Sequence, residues 1–339
     1  MLERPEIPWP KISACLSADY AIDAQEITFL PLGADVNTAV YRVADIDNVS
    51  FFLKLRKGAF DRTSVMLPRF FSEQGIRQII PPLQTVSGGL WGNLDAYKTI
   101  LYPFVNGRNG YEATLSERHW VEFGSALGKI HSATLPPDVA ASLRRETFSA
   151  YYRELVLSFL SIIDEETYCD AVAGELAVFM QEKWGEILNL IERAEQLAHV
   201  LKKEPPPFIV CHSDIHAGNI YIDDDDALYI VDWDEPILAP KERDLMYIGG
   251  GLLDSGLSPQ EEECQFYEAY GHVEVSRHAL AYYRLERIVQ DIAAYCEQLL
   301  LSNEGGADRE QSLVYFKSNF LPGGTVEIAN ETYESLSSL

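Results

Sequence analysis

The residues best suited to chemistry lie about two thirds of the way along the chain. They are His212-Ser213-Asp214-Ile215-His216-Ala217-Gly218-Asn219, followed by Ile230-Val231-Asp232-Trp233-Asp234. The pattern is His-x-Asp, an Asn five positions after Asp214, and a second Asp, Asp232, closing an apolar run. Phosphoryl transfer from a nucleotide needs this set of groups. One Asp orients the acceptor hydroxyl, while an Asn and a later Asp hold magnesium on the nucleotide phosphates. Magnesium takes hard oxygen ligands, which one carboxylate and one amide carbonyl supply alongside phosphates and water. Asp214 is therefore the candidate catalytic residue, and Asn219 and Asp232 are the candidate metal ligands. His212 reads as a packed residue that positions backbone, because nothing around it asks for a moving proton.

The connecting sequence sets the geometry. Ile220-Tyr221-Ile222 and Leu228-Tyr229-Ile230-Val231 read as two strands around four consecutive aspartates, residues 223–226. A hairpin of this length brings Asn219 near Asp232. The aspartates lack the Gly and distal Glu of a calcium loop, so they read as a polar turn.

Upstream, residues 1–104 read as mostly β with one helix. Strands are expected over 27–30, 39–43 and 51–55, rich in β-branched and aromatic residues. Between the first two lies a turn with Gly33 and a polar tip that includes Asn37 and Thr38, placed where a loop could cover phosphates. Lys54 on the third strand is placed to contact the α- and β-phosphates. Its acidic partner is left open between Asp61 and Glu73, because Pro68 interrupts the helical stretch over 60–74. The apolar run over 98–105 reads as a hinge whose backbone at Tyr102, Phe104 and Val105 could hydrogen-bond adenine.

From about residue 110 the pattern turns helical. Thr114-Leu115-Ser116-Glu117 reads as a capping box ahead of Trp120, Phe123, Leu127 and Ile130 at helical spacing. An apolar stripe over 171–201 and a long helix over 277–301 follow, and the last twenty or so residues carry little signal. Gly249-Gly250-Gly251 follow a short helix and read as its stop.

Composition narrows the partners. The 339 residues are 47% hydrophobic and carry 27 basic against 52 acidic side chains, a formal charge of −25. Such a surface repels nucleic acid and anionic lipid, both of which need clustered Lys and Arg. A small cationic acceptor fits the charge, as does simple solubility. Five scattered cysteines without a CxxC pair predict reduced thiols in a cytoplasmic protein. The N-terminal residues do not form the apolar core of a signal peptide. No segment reaches the ~20 apolar residues of a membrane span. Oligomeric state is not legible.

Taken in order, the loop with Gly33-Ala34-Asp35, Lys54, Tyr102-Pro103-Phe104, the 212–219 and 230–234 motifs and Tyr283-Arg284-Leu285-Glu286-Arg287-Ile288 resemble the aminoglycoside phosphotransferase family, a small-molecule branch of the kinase fold. The resemblance implies an α+β, two-lobed, protein-kinase-like fold. A β-rich nucleotide-binding lobe would span 1–105, and a mainly α-helical catalytic and acceptor-binding lobe 106–339. It implies transfer of the γ-phosphoryl of ATP, or of GTP, with Mg2+, to a hydroxyl of an aminoglycoside or aminocyclitol, spectinomycin foremost. It also implies that Asp244 supports the catalytic loop. Protonated amines on such an acceptor call for carboxylates and flat apolar faces. Asp234, Glu235, Glu286 and Asp291, with Tyr282, Tyr283 and Trp233, are the candidates. Two alternatives stay open: a metabolic kinase for choline, homoserine or a thiosugar, and a nucleotide-binding regulator without turnover.

Overall fold

Alternating apolar residues in the first hundred positions build a five-stranded antiparallel sheet. It is ordered β1 (Ala24–Leu30), β2 (Thr38–Asp45), β3 (Ser50–Lys57), then β5 (Tyr97–Pro103) and β4 (Gly92–Leu94) at the far edge. The computed structural model describes the chain except residues 1–3, 33–36, 166–167, 169, 254, 303–305 and 338–339. Gly33 lies outside the described residues. Two compact units share the chain: Met1–Leu143 with Gly218–Pro236, and Arg144–Ala217 with Ile237–Leu339.

In the first unit, side chains alternate across β3. Leu53 and Leu55 join Ile27, Tyr41, Val43 and Leu101 in one core, and Lys54 points to the opposite face. A helix not expected from the sequence, Trp9–Tyr20, covers that core with Ile12, Leu16 and Tyr20, spaced one turn apart. Prolines at positions 5, 8 and 10 masked it in the sequence, yet Pro10 sits in the first turn, where a missing N–H costs nothing. The stretch around Pro68 forms a single helix, Thr63–Glu73, with the proline inside it. Its Phe71 is buried against Trp233, with ring centroids 5.2 Å apart.

The expected hairpin forms from Ile220–Asp223 and Leu228–Ile230, with Leu228 opposite Ile222. Asp223 shapes the turn by accepting the Asp225 and Ala227 N–H groups at 3.0 and 2.8 Å. The strand Gly107–Asn109 pairs with the other edge of Ile220–Asp223. The two backbones come so close there that a Cβ on Gly107 would lie 2.2 Å from the Ile222 carbonyl oxygen. The helix Glu117–Ser132 is capped two residues later than expected. Ser116 accepts the His119 N–H, and His119 Nδ1 accepts the Ser116 N–H at 3.1 Å. The buried His119 ring is fixed further by Asp226, 3.1 Å away.

The second unit is built around the helix Arg277–Leu300, which packs against Trp184–Lys203, Thr325–Glu334 and Tyr151–Glu165. The stripe over 171–201 is two helices, Ala171–Glu182 and Trp184–Lys203. Helices Gly306–Ser318 and Thr325–Glu334 occupy the C-terminal stretch that carried little signal. A small sheet places Ile237–Pro240 between Arg144–Arg145 and Phe208–Cys211, delivering the chain to His212. The short helix Glu242–Leu245 is followed by turns in which Gly249 and Gly251 adopt positive φ, 62° and 73°. Among the described residues no helix is long and apolar enough to cross a membrane. Cys15, Cys211, Cys264 and Cys296 carry free thiols.

Candidate active site

The second unit supplies the loop that carries Asp214. Asp244, fully buried, accepts the backbone N–H of His212 at 2.9 Å and of Ser213 at 2.6 Å. Two charge-assisted bonds to successive amides pin the loop, in which Ser213 has φ 74°. The buried His212 ring accepts the Asp214 N–H on Nδ1 at 3.3 Å, the backbone-positioning role its sequence context suggested. The Asp214 carboxylate is 37% exposed. Its Oδ1 accepts from Arg287 Nη1 at 2.6 Å and lies 3.2 Å from the Tyr247 hydroxyl, while Oδ2 lies 3.6 Å from His216 Nε2. Burial alone would push its carboxyl up. The Arg287 guanidinium, with His216 and His212, outweighs burial and holds it below the ordinary carboxylate range.

The first unit supplies a second set. Ile230 pairs with Ile220, and the Val231 N–H donates to the Asn219 carbonyl at 3.0 Å, so the hairpin sets Asn219 beside the strand end that bears Asp232. Asp232 adopts φ 60°, and its carboxylate is 49% exposed. Lys54 Nζ donates to Asp232 at 3.0 Å and to Asp234 at 2.6 Å, and Arg56 forms an ion pair with Asp234. Burial would lower the Lys54 pKa, but Asp232 and Asp234 outweigh it and raise it above the usual lysine value.

Neither acid considered for Lys54 pairs with it. Asp61 accepts the Thr63 N–H and hydroxyl at 2.8 and 2.6 Å at the start of its helix. Glu73 pairs with Arg69. The reason is local: both acids are satisfied on their own helix, and Lys54 finds its partners 178 and 180 residues away in sequence.

The remaining candidates are placed as follows. Thr38 is buried, and the exposed Asn37 accepts the Lys57 N–H at 2.9 Å through its carbonyl. In the hinge, Tyr102 lies opposite Phe52, the Phe104 N–H donates to Ser50 and the Val105 carbonyl accepts from the Tyr221 hydroxyl. Glu235 is exposed. Trp233 is buried against Phe71, and its indole N–H donates to the Ile230 carbonyl. Tyr282 and Tyr283 are buried with Phe148, and Glu286 forms a buried ion pair with Arg153. Tyr282, Tyr283 and Glu286 pack the interior, because the helix Arg277–Leu300 buries that face against its neighbours. Asp291 lies 3.0 Å from Arg287 Nε, an ion pair without hydrogen-bond alignment. Arg56 and Tyr247 were not singled out from sequence, and Arg287 was named only within the stretch 283–288, without a role. Period-two spacing from Lys54 could have marked Arg56, and i,i+4 spacing the Arg287–Asp291 pair.

The phosphotransferase enzyme family, APH, matches residues 28–283. A structure of spectinomycin phosphotransferase APH(9)-Ia with ADP and spectinomycin is 37% identical. It aligns over 97% of this chain and 99% of its own, with a TM-score of 0.89. The AMP-bound complex of the same enzyme is 36% identical, over 96% and 98% of the two chains, with a TM-score of 0.84. Amicoumacin kinase hAmiN shares the fold at 15% identity, over 98% of each chain, with a TM-score of 0.64. None of the curated proteins compared matches the chain. The architecture is thus α+β and kinase-like, with a sheet-rich N-terminal part and a helical C-terminal part. The chain belongs to the APH phosphotransferase enzyme family and is an enzyme of that kind.

Proposed function

We propose that the protein transfers the γ-phosphoryl group of ATP, with GTP as the alternative donor, to a hydroxyl of an aminocyclitol or aminoglycoside, spectinomycin foremost. The observation that carries this reading is 37% identity across 97% of the chain to an enzyme whose structure holds ADP and spectinomycin. Residues 1–105 would serve nucleotide binding and 106–339 catalysis and acceptor binding. The work would take place in the cytoplasm.

In the reaction a bond forms between the acceptor oxygen and the γ-phosphorus. The bond from that phosphorus to the β,γ-bridging oxygen breaks, and the hydroxyl proton passes to the Asp214 carboxylate. The transition state is loose, so the protein mainly aligns the reactants and offsets charge. Asp214 orients the hydroxyl and receives its proton late. Lys54 binds phosphate oxygens. The Asn219 amide and the half-exposed Asp232 carboxylate on one hairpin form a hard-oxygen donor set that fits Mg2+. When bound, Mg2+ neutralises charge on the β- and γ-phosphates. Glu235 and Asp291 are the acids for the acceptor amines, and the backbone of Tyr102, Phe104 and Val105 is the adenine edge, with Asn37 and Thr38 at the phosphates.

An acceptor screen coupled to ADP release tests this. Spectinomycin-dependent release of ADP, with a phosphate on a ring hydroxyl, is the expected result. Turnover with choline, homoserine or a thiosugar instead would keep the kinase reading and replace the acceptor. Nucleotide binding without turnover on any acceptor would favour a regulator.

A further inference from the structure

We infer that Arg287, joined by Tyr247 and anchored by Asp291, is a positioning residue that fixes the catalytic carboxylate of Asp214; this rests on the proposed role of Asp214. The geometry is convergent. Arg287 Nη1 donates to Asp214 Oδ1 at 2.6 Å and to the Tyr247 hydroxyl at 2.8 Å. That hydroxyl lies 3.0 Å from the Ser213 carbonyl and 3.2 Å from the same Oδ1. Arg287 Nε lies 3.0 Å from Asp291, one turn further along the same helix. The guanidinium also lies beside the Tyr247 ring, 5.8 Å from its centroid. Arg287 is therefore held from two sides, and its Nη1 bond holds Oδ1 of the Asp214 carboxylate. Bonds of this charge-assisted kind are short and directional.

The arrangement has a chemical cost that identifies its purpose. A guanidinium on a carboxylate makes that carboxylate a weaker base. An enzyme that relied on Asp214 to pull the hydroxyl proton early would lose rate by it. In a loose transition state the proton leaves late, so basicity matters little and placement matters much. The groups facing Asp214 within its unit are Arg287 and Asp291 from the helix Arg277–Leu300, Tyr247 after the helix Glu242–Leu245, and His212 and His216 from its own loop. Arg243 lies behind them, near Tyr247 and Arg287.

The test measures Arg287→Ala, Arg287→Gln and Arg287→Lys by steady-state kinetics across pH, and by 13C NMR titration of the Asp214 carboxyl assigned against Asp214→Asn. Arg287→Ala is expected to lower kcat by roughly 10–100-fold, with nucleotide KM within about twofold, since small misplacements at a reacting group cost on this scale. The Asp214 midpoint moves up, the acid limb of the kcat/KM profile moves with it, and Arg287→Lys restores part of both. An unmoved midpoint and acid limb overturn the inference. A higher kcat at alkaline pH does so too, because basicity would then be limiting. Arg287→Gln, of similar reach, carries the same readouts should Arg287→Ala not fold. The titration needs no acceptor. Wild-type protein that phosphorylates nothing while the Arg287-dependent shift persists defeats the phosphotransfer role of Asp214; turnover without that shift defeats only this inference.

Discussion

At the scale of single residues, the second unit holds a pinned loop and the first unit a charge cluster. Asp214→Asn is expected to leave the fold and ATP binding in place and to lower turnover by roughly 10²–10⁴. Turnover at the wild-type level would remove Asp214 from the mechanism. Asp232→Ala is expected to abolish productive Mg-ATP binding in calorimetric titration, because the acid two residues on, Asp234, is already engaged by Lys54 and Arg56. Asp234→Asn leaves Lys54 with Asp232 alone, so nucleotide KM should rise by about tenfold, a loss of one charge-assisted contact. An unchanged KM would mean that Lys54 needs no second acid. The placement of Asn219 beside the strand end that bears Asp232 was legible because the hairpin spacing is local. The acid partner of Lys54 was not, since β3 and the segment after the hairpin meet only through tertiary folding.

At the scale of elements, the helix Arg277–Leu300 combines structure and site. One turn sends Glu286 inward to a buried pair with Arg153, and the next residue, Arg287, reaches Asp214. Both partners of the inward pair are almost fully buried, at 3% and 2% side-chain exposure. Removing Arg153 strands the buried Glu286, so Arg153→Met should cost about 3–5 kcal/mol in urea unfolding, and Glu286→Gln should cost less, because Arg153 keeps Glu195 at 2.8 Å. A loss below about 1 kcal/mol would mean that water reaches the site. The hairpin and the first three strands were readable because alternation and turn residues agree there. The helix Trp9–Tyr20, the break at Lys183 and the shift of the cap to Ser116 were not. Each is decided by what the segment packs on or bonds to, as when the buried His119 closes the cap and also holds Asp226.

At the scale of the whole molecule, a formal charge of −25 makes the surface a collector of cations. For a cationic acceptor, KM should rise several-fold between ~0.05 and ~0.5 M salt, as the Debye length contracts to a few ångströms. A neutral sugar would show no such rise. Parallel salt series with spectinomycin and an uncharged alcohol decide between steering and mere solubility. An equal salt response for both would assign the acidity to solubility.

The cluster of Lys54, Arg56, Asp232 and Asp234 contains two cations and two anions that neutralise one another. If these residues take the proposed roles, loading the enzyme is an ion exchange. Phosphate oxygens would displace the Asp232 carboxylate from Lys54 while Asp234 keeps its hold on it, and the freed Asp232 would be available to hold Mg2+. Nucleotide alone would leave Asp232 without its cation, and metal alone would leave Lys54 and Arg56 sharing the one carboxylate of Asp234. Only the two together leave every charge matched, so metal and nucleotide should each bind more weakly alone than in the other's presence.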